Sequence, residues 1–146
     1  MTEPPPFRFH HGGVSVPDLA AGIAWYKDML GFEVESEFYL ASIPAKVAML
    51  KRGPMRMELF EPEDGAVMDP ERSNPQADIR TYGNKHLAFA VDDIAALIDG
   101  LTARGVDVAS VLRDASGVRG CFIRDMAGNP IEFLQYADGE ATRVLP

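Results

Sequence analysis

Only one cysteine, Cys121, occurs among the 146 residues. An intrachain disulfide is therefore excluded, and a chain of this length buries a sufficient core without one. A basic excess is also missing: 14 Lys and Arg stand against 22 Asp and Glu, for a net charge of −8. That is the wrong sign for a protein that tracks nucleic-acid phosphates. No apolar run approaches the roughly 20 residues needed to cross a bilayer. The opening Met1-Thr2-Glu3-Pro4-Pro5-Pro6 has no basic segment leading into an apolar one. These absences predict a soluble, cytoplasmic protein in a reducing compartment. They also argue against nucleic acid and a membrane as partners.

What the chain does have is a repeat. His11-Gly12-Gly13-Val14-Ser15-Val16-Pro17-Asp18 is echoed by His86-Leu87-Ala88-Phe89-Ala90-Val91-Asp92-Asp93. The histidines lie 75 positions apart, as do Asp18 and Asp93. Each stretch is a short alternating strand running into an acidic helix cap. Leu19, Ile23, Tyr26 and Leu30 then share one helical face, and Ile94, Leu97, Ile98 and Leu101 share another. Gly31 and Gly105 end the two helices, 74 apart, and Glu58 and Glu132 repeat at the same spacing. Matches at this many kinds of position, in one order, mark a duplicated unit. The first β-α-β-β-β module spans 8–61 and the second 85–136, giving an α+β fold. Between them, 62–84 is rich in proline and charge; it is a linker long enough to act as a lid.

Parity assigns faces. His86 shares its side of the strand with Ala88 and Ala90, while Leu87, Phe89 and Val91 take the other. Glu58 lies opposite Met57 and Leu59, and Glu132 opposite Ile131 and Phe133. The large apolar faces pack on helices, so the histidines and glutamates face a cavity. If the modules pair, His11, Glu58, His86 and Glu132 converge. Two imidazoles and two carboxylates suit one divalent transition ion, Ni, Co, Zn, Mn or Fe, rather than calcium or magnesium. Four such ligands on an octahedral ion leave two positions for a chelating substrate. His10 neighbours His11, but parity and the repeat offset both select His11.

With HGGVSVPDL, WYKDMLGF, MELFEP, KHLAFAVDDI and RDMAGNPIEFLQ in hand, the chain resembles the vicinal oxygen chelate superfamily. That superfamily holds glyoxalase I, methylmalonyl-CoA epimerase, extradiol dioxygenases and bleomycin-binding proteins. The resemblance implies paired modules forming a cupped mixed sheet around a metal, a homodimer, and ligand roles for His11, Glu58, His86 and Glu132. A four-ligand set is similar to that of glyoxalase I and the epimerase. It implies a metal-dependent lyase or isomerase in which Glu58 or Glu132 removes a proton beside a chelated carbonyl. An extradiol-type Fe(II) dioxygenase and a non-catalytic small-molecule binder are the alternatives.

Arg56 shares strand parity with Glu58, and Arg119 stands on the penultimate strand. Both are candidates for holding an anionic substrate group. For Cys121 a packed thiol is the ordinary reading, as core packing is for Trp25 and Tyr26.

Overall fold

The apolar face of Leu19, Ile23, Tyr26 and Leu30 becomes helix α1, Leu19–Leu30. The Asp18 carboxylate caps it by accepting from Ala21 N at 2.8 Å. Gly31 stops it with φ 69°, a left-handed backbone that only glycine adopts without strain. In the second copy Asp93 accepts from Ala96 N at 3.0 Å at the head of Ile94–Ala103. Gly105, with φ 77°, follows that helix.

The computed structural model describes residues 5–113 and 117–137. The chain runs β1 (Gly12–Ser15), α1, β2 (Glu33–Leu40), β3 (Ala45–Arg52), β4 (Met55–Pro62), then a 3₁₀ turn (Pro70–Ser73) and helix α2 (Pro75–Asp78). β5 (Leu87–Ala90), α3 (Ile94–Ala103), β6 (Asp107–Arg113), β7 (Arg119–Arg124) and β8 (Pro130–Gln135) follow. These strands make two four-stranded mixed sheets, ordered β1-β4-β3-β2 and β5-β8-β7-β6. In each, the first strand runs parallel to the last: Gly13 stands opposite Glu58, and Ala88 opposite Glu132. Even the irregularities repeat, with a register shift at Val34/Ser36 in one sheet and at Val108/Ser110 in the other. Alternation predicts first strands over 8–16 and 86–91, yet the paired segments are four residues each. Both are edge strands with a single neighbour, and both histidines sit just ahead of the pairing.

The two modules share one core. Tyr26, Phe32, Met57 and Leu59 from the first join Ile94, Ile123, Ile131 and Phe133 from the second in a continuous buried cluster. Non-directional apolar burial supplies cohesion, and a few directional bonds fix the fit. The Tyr26 hydroxyl, fully buried, donates to Asp125 Oδ2 at 2.9 Å. Burial, then the adjacent carboxylate, pushes the tyrosine's pKa far up, so it stays a donor. Asn129 Nδ2 donates to Ser15 O at 3.1 Å, and Arg104 Nη1 to Asp28 O at 2.9 Å. At Gly12 the modules touch: a Cβ there would lie 2.5 Å from Leu87 Cδ2.

Within 62–84 no sequence periodicity points to an element, because its 3₁₀ turn and α2 are four residues each. Each begins with proline behind an Asx cap, Asp69 accepting from Glu71 N and Asn74 from Gln76 N.

Candidate functional site

Parallel pairing of the first and last strands carries each histidine to its glutamate. His11 Nε2 lies 3.1 Å from Glu58 Oε2, and His86 Nε2 lies 3.0 Å from Glu132 Oε2. The same ring nitrogen is used both times. Exposure matches too: side chains are 35% and 16% exposed in the first pair, 30% and 16% in the second. On the opposite face of β4 and β8, Met57, Leu59, Ile131 and Phe133 are buried in the core. All four polar side chains therefore stand on the faces turned away from the core, as strand alternation requires.

The structure brings these residues together as two pairs. Among the described residues, no three His, Cys, Asp or Glu side chains gather closely enough to hold a metal ion. Each pair nevertheless fits half of a metal site. Ligands on a divalent transition ion at roughly 2.1 Å, set at right angles, stand about 3 Å apart. Both pairs have that separation, with one neutral-capable nitrogen and one carboxylate each.

The surroundings of the pairs differ. His11 Nδ1 is 2.7 Å from His10 Nδ1, so a second imidazole steadies the first. His86 instead sets its ring edge-on against Phe122, with centroids 4.8 Å apart. Beside the second pair lies the strap that carries α2, with a half-open cavity of about 460 Å³ between the strap and β6, β7 and β8. Asp78, 2% exposed, holds the strap shut. It pairs with Arg72, whose buried Nε meets the carboxylate as a charge without an aligned hydrogen bond. It also meets Lys85 Nζ at 3.3 Å. That ammonium is taken up further by Asp78 O at 2.6 Å and by Thr81 O. Arg124 Nε anchors the strap to the second sheet through Ser73 O at 2.6 Å.

A family model described as the Glyoxalase/Bleomycin resistance protein/Dioxygenase superfamily matches residues 8–133, the stretch that contains both pairs. The chain belongs to this superfamily. Among relatives, the uncharacterized protein YaeR of Escherichia coli (strain K12) is 33% identical over 88% of this chain and 95% of its own. Mitochondrial methylmalonyl-CoA epimerase of Bos taurus is 29% identical over 70% of this chain. The match spans 57% of the bovine enzyme's length. Lactoylglutathione lyase from Agrobacterium tumefaciens has a solved structure that superposes with a TM-score of 0.63. It is 27% identical, covering 90% of this chain and 96% of that one. The superfamily thus contains enzymes, an epimerase and a lyase among them. Among the described residues, no helix is long and apolar enough to cross a membrane.

Two arginines were candidates for substrate anions. In this superfamily chain Arg56 is on the sheet face of Glu58, but Glu35 grips it bidentately, Nε to Oε2 at 2.7 Å and Nη2 to Oε1 at 2.8 Å. The guanidinium holds the Glu35 carboxyl below its usual range. Arg119 lies in register with Gln135, three residues before Phe122. Alternation therefore gives it the face opposite Phe122 and Glu132, and the structure does not bring it to the His86 pair. Cys121 is fully buried, and burial foremost, with Glu132 second, pushes its thiol up to about 11. It is a packed thiol rather than a reactive one.

Two signature stretches have roles that residue-type reasoning missed. In MELFEP, Glu61 Oε2 accepts from Leu19 N at 2.7 Å; in PIEFLQ, Gln135 Oε1 accepts from Ile94 N at 2.9 Å. Both satisfy an orphan amide at a helix start, beside the aspartate cap. Their 74-residue spacing was the available signal. In RDMAGNP, Asp125 Oδ1 accepts from Ala127 N and Asn129 N, both at 2.9 Å, and its Oδ2 takes Asn129 Nδ2 at 2.8 Å. That aspartate builds the turn and receives Tyr26, so it joins the modules and does not serve the site.

Proposed function

We propose that the chain is a divalent-metal-dependent isomerase or lyase of glyoxalase or epimerase type, working as a homodimer on a small molecule. The His11–Glu58 pair of one copy faces the His86–Glu132 pair of another, and four ligands are completed across the interface. The observation that carries this reading is the duplicated pair. Two imidazole–carboxylate couples with equal spacing, atom use and exposure supply two halves of one octahedral set. A divalent ion held there supplies Lewis-acid polarisation of a substrate carbonyl. The protein's own part is to fix the imidazoles, through His10 for His11 and through Phe122 for His86. It also provides the base. Glu58 and Glu132 are each mostly buried, and each has a second carboxylate oxygen with which to take the proton from carbon next to the carbonyl.

Two variant chains test the arrangement, one with His11→Ala and Glu58→Ala and the other with His86→Ala and Glu132→Ala. Each alone should lose tight binding of nickel, cobalt or zinc. Refolding them together should restore one tight site per mixed dimer, together with metal-dependent exchange of carbon-bound protons in deuterated water. A wild-type protein that retains no stoichiometric metal would sink the metal reading. Full binding by wild type with no rescue on mixing would place the site within one chain.

A further inference from the structure

The cavity beneath the strap says what kind of substrate this site selects, an inference that rests on the metal-enzyme reading above. At about 460 Å³ it lies toward the small end of ligand pockets. His86 and Glu132 are part of its lining. The remainder is walled mainly by Ile79 and Pro75 from the strap, Leu112 from β6 and Phe122 from β7. Ile79 is 73% exposed and Leu112 40% exposed in the free chain. Large apolar side chains left uncovered on opposite sides of a cavity mark a place where apolar surface is buried on binding.

Charge decides the rest. Among the described residues that line the cavity, Lys85 is the only lysine or arginine, and its ammonium is spent on Asp78 O, Asp78 Oδ1 and Thr81 O. Freeing it would leave Asp78, a buried carboxylate, short of a partner. Of the two arginines on the strap, Arg72 gives its Nη2 to Asn84 O at 2.8 Å and its charge to Asp78, and Arg80, exposed beside Ile79, is not part of the cavity lining. The lining meanwhile carries the Glu132 and Asp78 carboxylates. An anionic tail would find no free cation in this lining and would meet these carboxylates; an uncharged hydrocarbon tail would find Ile79, Leu112 and Phe122.

We propose that Ile79, Leu112 and Phe122 determine specificity, seating an uncharged branched-aliphatic or aromatic side group of a small 2-oxo or 2-hydroxy carbonyl substrate. The chelating oxygens then point to His86 and Glu132. The cavity is formed by the strap and the second sheet, so the substrate's tail is read between those two and its reacting end lies at the His86–Glu132 pair.

A matched pair of probes tests this: 4-methyl-2-oxopentanoate, with an isobutyl tail, and 2-oxoglutarate, with a carboxylate tail. Their binding to the full chain is followed through the ¹³C-labelled methyl groups of isoleucine and leucine, with and without cobalt or zinc. The aliphatic probe should shift the Ile79 and Leu112 methyls and bind at least tenfold more tightly than 2-oxoglutarate. Ile79→Arg should move the preference at least tenfold toward 2-oxoglutarate, and Leu112→Arg provides the same reading from the other wall should the strap variant loosen. Equal affinities, or exchange of either probe's C3 proton with both methyls unmoved, would overturn the assignment. Methyl shifts by the aliphatic probe without metal uptake or exchange would uphold the cavity and sink the metal-enzyme reading alone.

Discussion

His11 and Glu58 on the first sheet, and His86 and Glu132 on the second, make the same contact in the same register. What stands around each contact is different. Opposite Glu58 the neighbouring strand presents Met49; opposite Glu132 it presents Phe122, which packs on the histidine. His10 braces the first histidine, while Lys85, at the repeat position in the second module, is committed to closing the strap. The first hairpin turns tightly at Gly53-Pro54, whereas the second spends Asp125 to Asn129 on a turn that locks onto Tyr26 of the first module. Both copies keep the strand pair that sets imidazole beside carboxylate. Divergence is confined to what lies over and beside it.

The largest effect should come from the carboxylates. Glu58→Gln and Glu132→Gln should each lower metal-dependent proton exchange by about 10² to 10⁴-fold, the range for loss of a general base. Thermal unfolding should hardly change, since both side chains face away from the core. Similar losses mean both glutamates act as ligands of equal standing, and a loss about tenfold greater in one marks it as the base. Either variant unfolding at room temperature would show that the pairs are structural.

Asp125→Ala should come next, costing about 3–5 kcal/mol in denaturant unfolding, because it orphans the buried Tyr26 hydroxyl and dismantles a turn. At the matching end of the first sheet Arg52 Nη1 donates to Leu30 O at 2.9 Å, so Arg52→Ala should cost about 1 kcal/mol. Comparable costs would break the claim that the second hairpin is the clamp between modules. The helix caps should behave alike in both copies. Asp18→Ala and Asp93→Ala should each cost about 1 kcal/mol, and a clear difference between them would show that the repeat is less symmetric in energy than in geometry.

The smallest effect is alkaline. Cys121 occupies the place opposite Phe133 that Ala48 occupies opposite Leu59. Its folded pKa of about 11 lies above the ordinary 9.0, so the fold favours the protonated thiol. That contribution is whole below pH 9 and disappears as pH climbs through 11. Cys121→Ala, which makes the second sheet like the first, should flatten this limb of the stability–pH curve. An unchanged limb would assign it to another group.

Much of this protein was legible from residue order. Periodicity, the aspartate caps and the left-handed glycines gave both helices, because these signals act within a few residues of chain. The duplicated spacing gave the two modules, and strand parity gave the faces of His11, Glu58, His86 and Glu132, because side chains on a strand must alternate. Partners chosen across the fold were not legible. Glu35 for Arg56, Tyr26 for Asp125, and Asp78 for Arg72 and Lys85 are matches between charged or hydroxyl groups, and many such groups were available. Only packing selects one. The same holds for the strap: its elements are a single turn each, too short for periodicity, and it is placed by Asp78 and by Arg124 reaching Ser73. Sequence by itself determined the repeated histidine–glutamate pair, a local consequence of backbone geometry. Tertiary structure alone decided that the strap and its cavity lie against the second pair, because that depends on long-range contacts whose sequence cost is a few side chains with no fixed spacing.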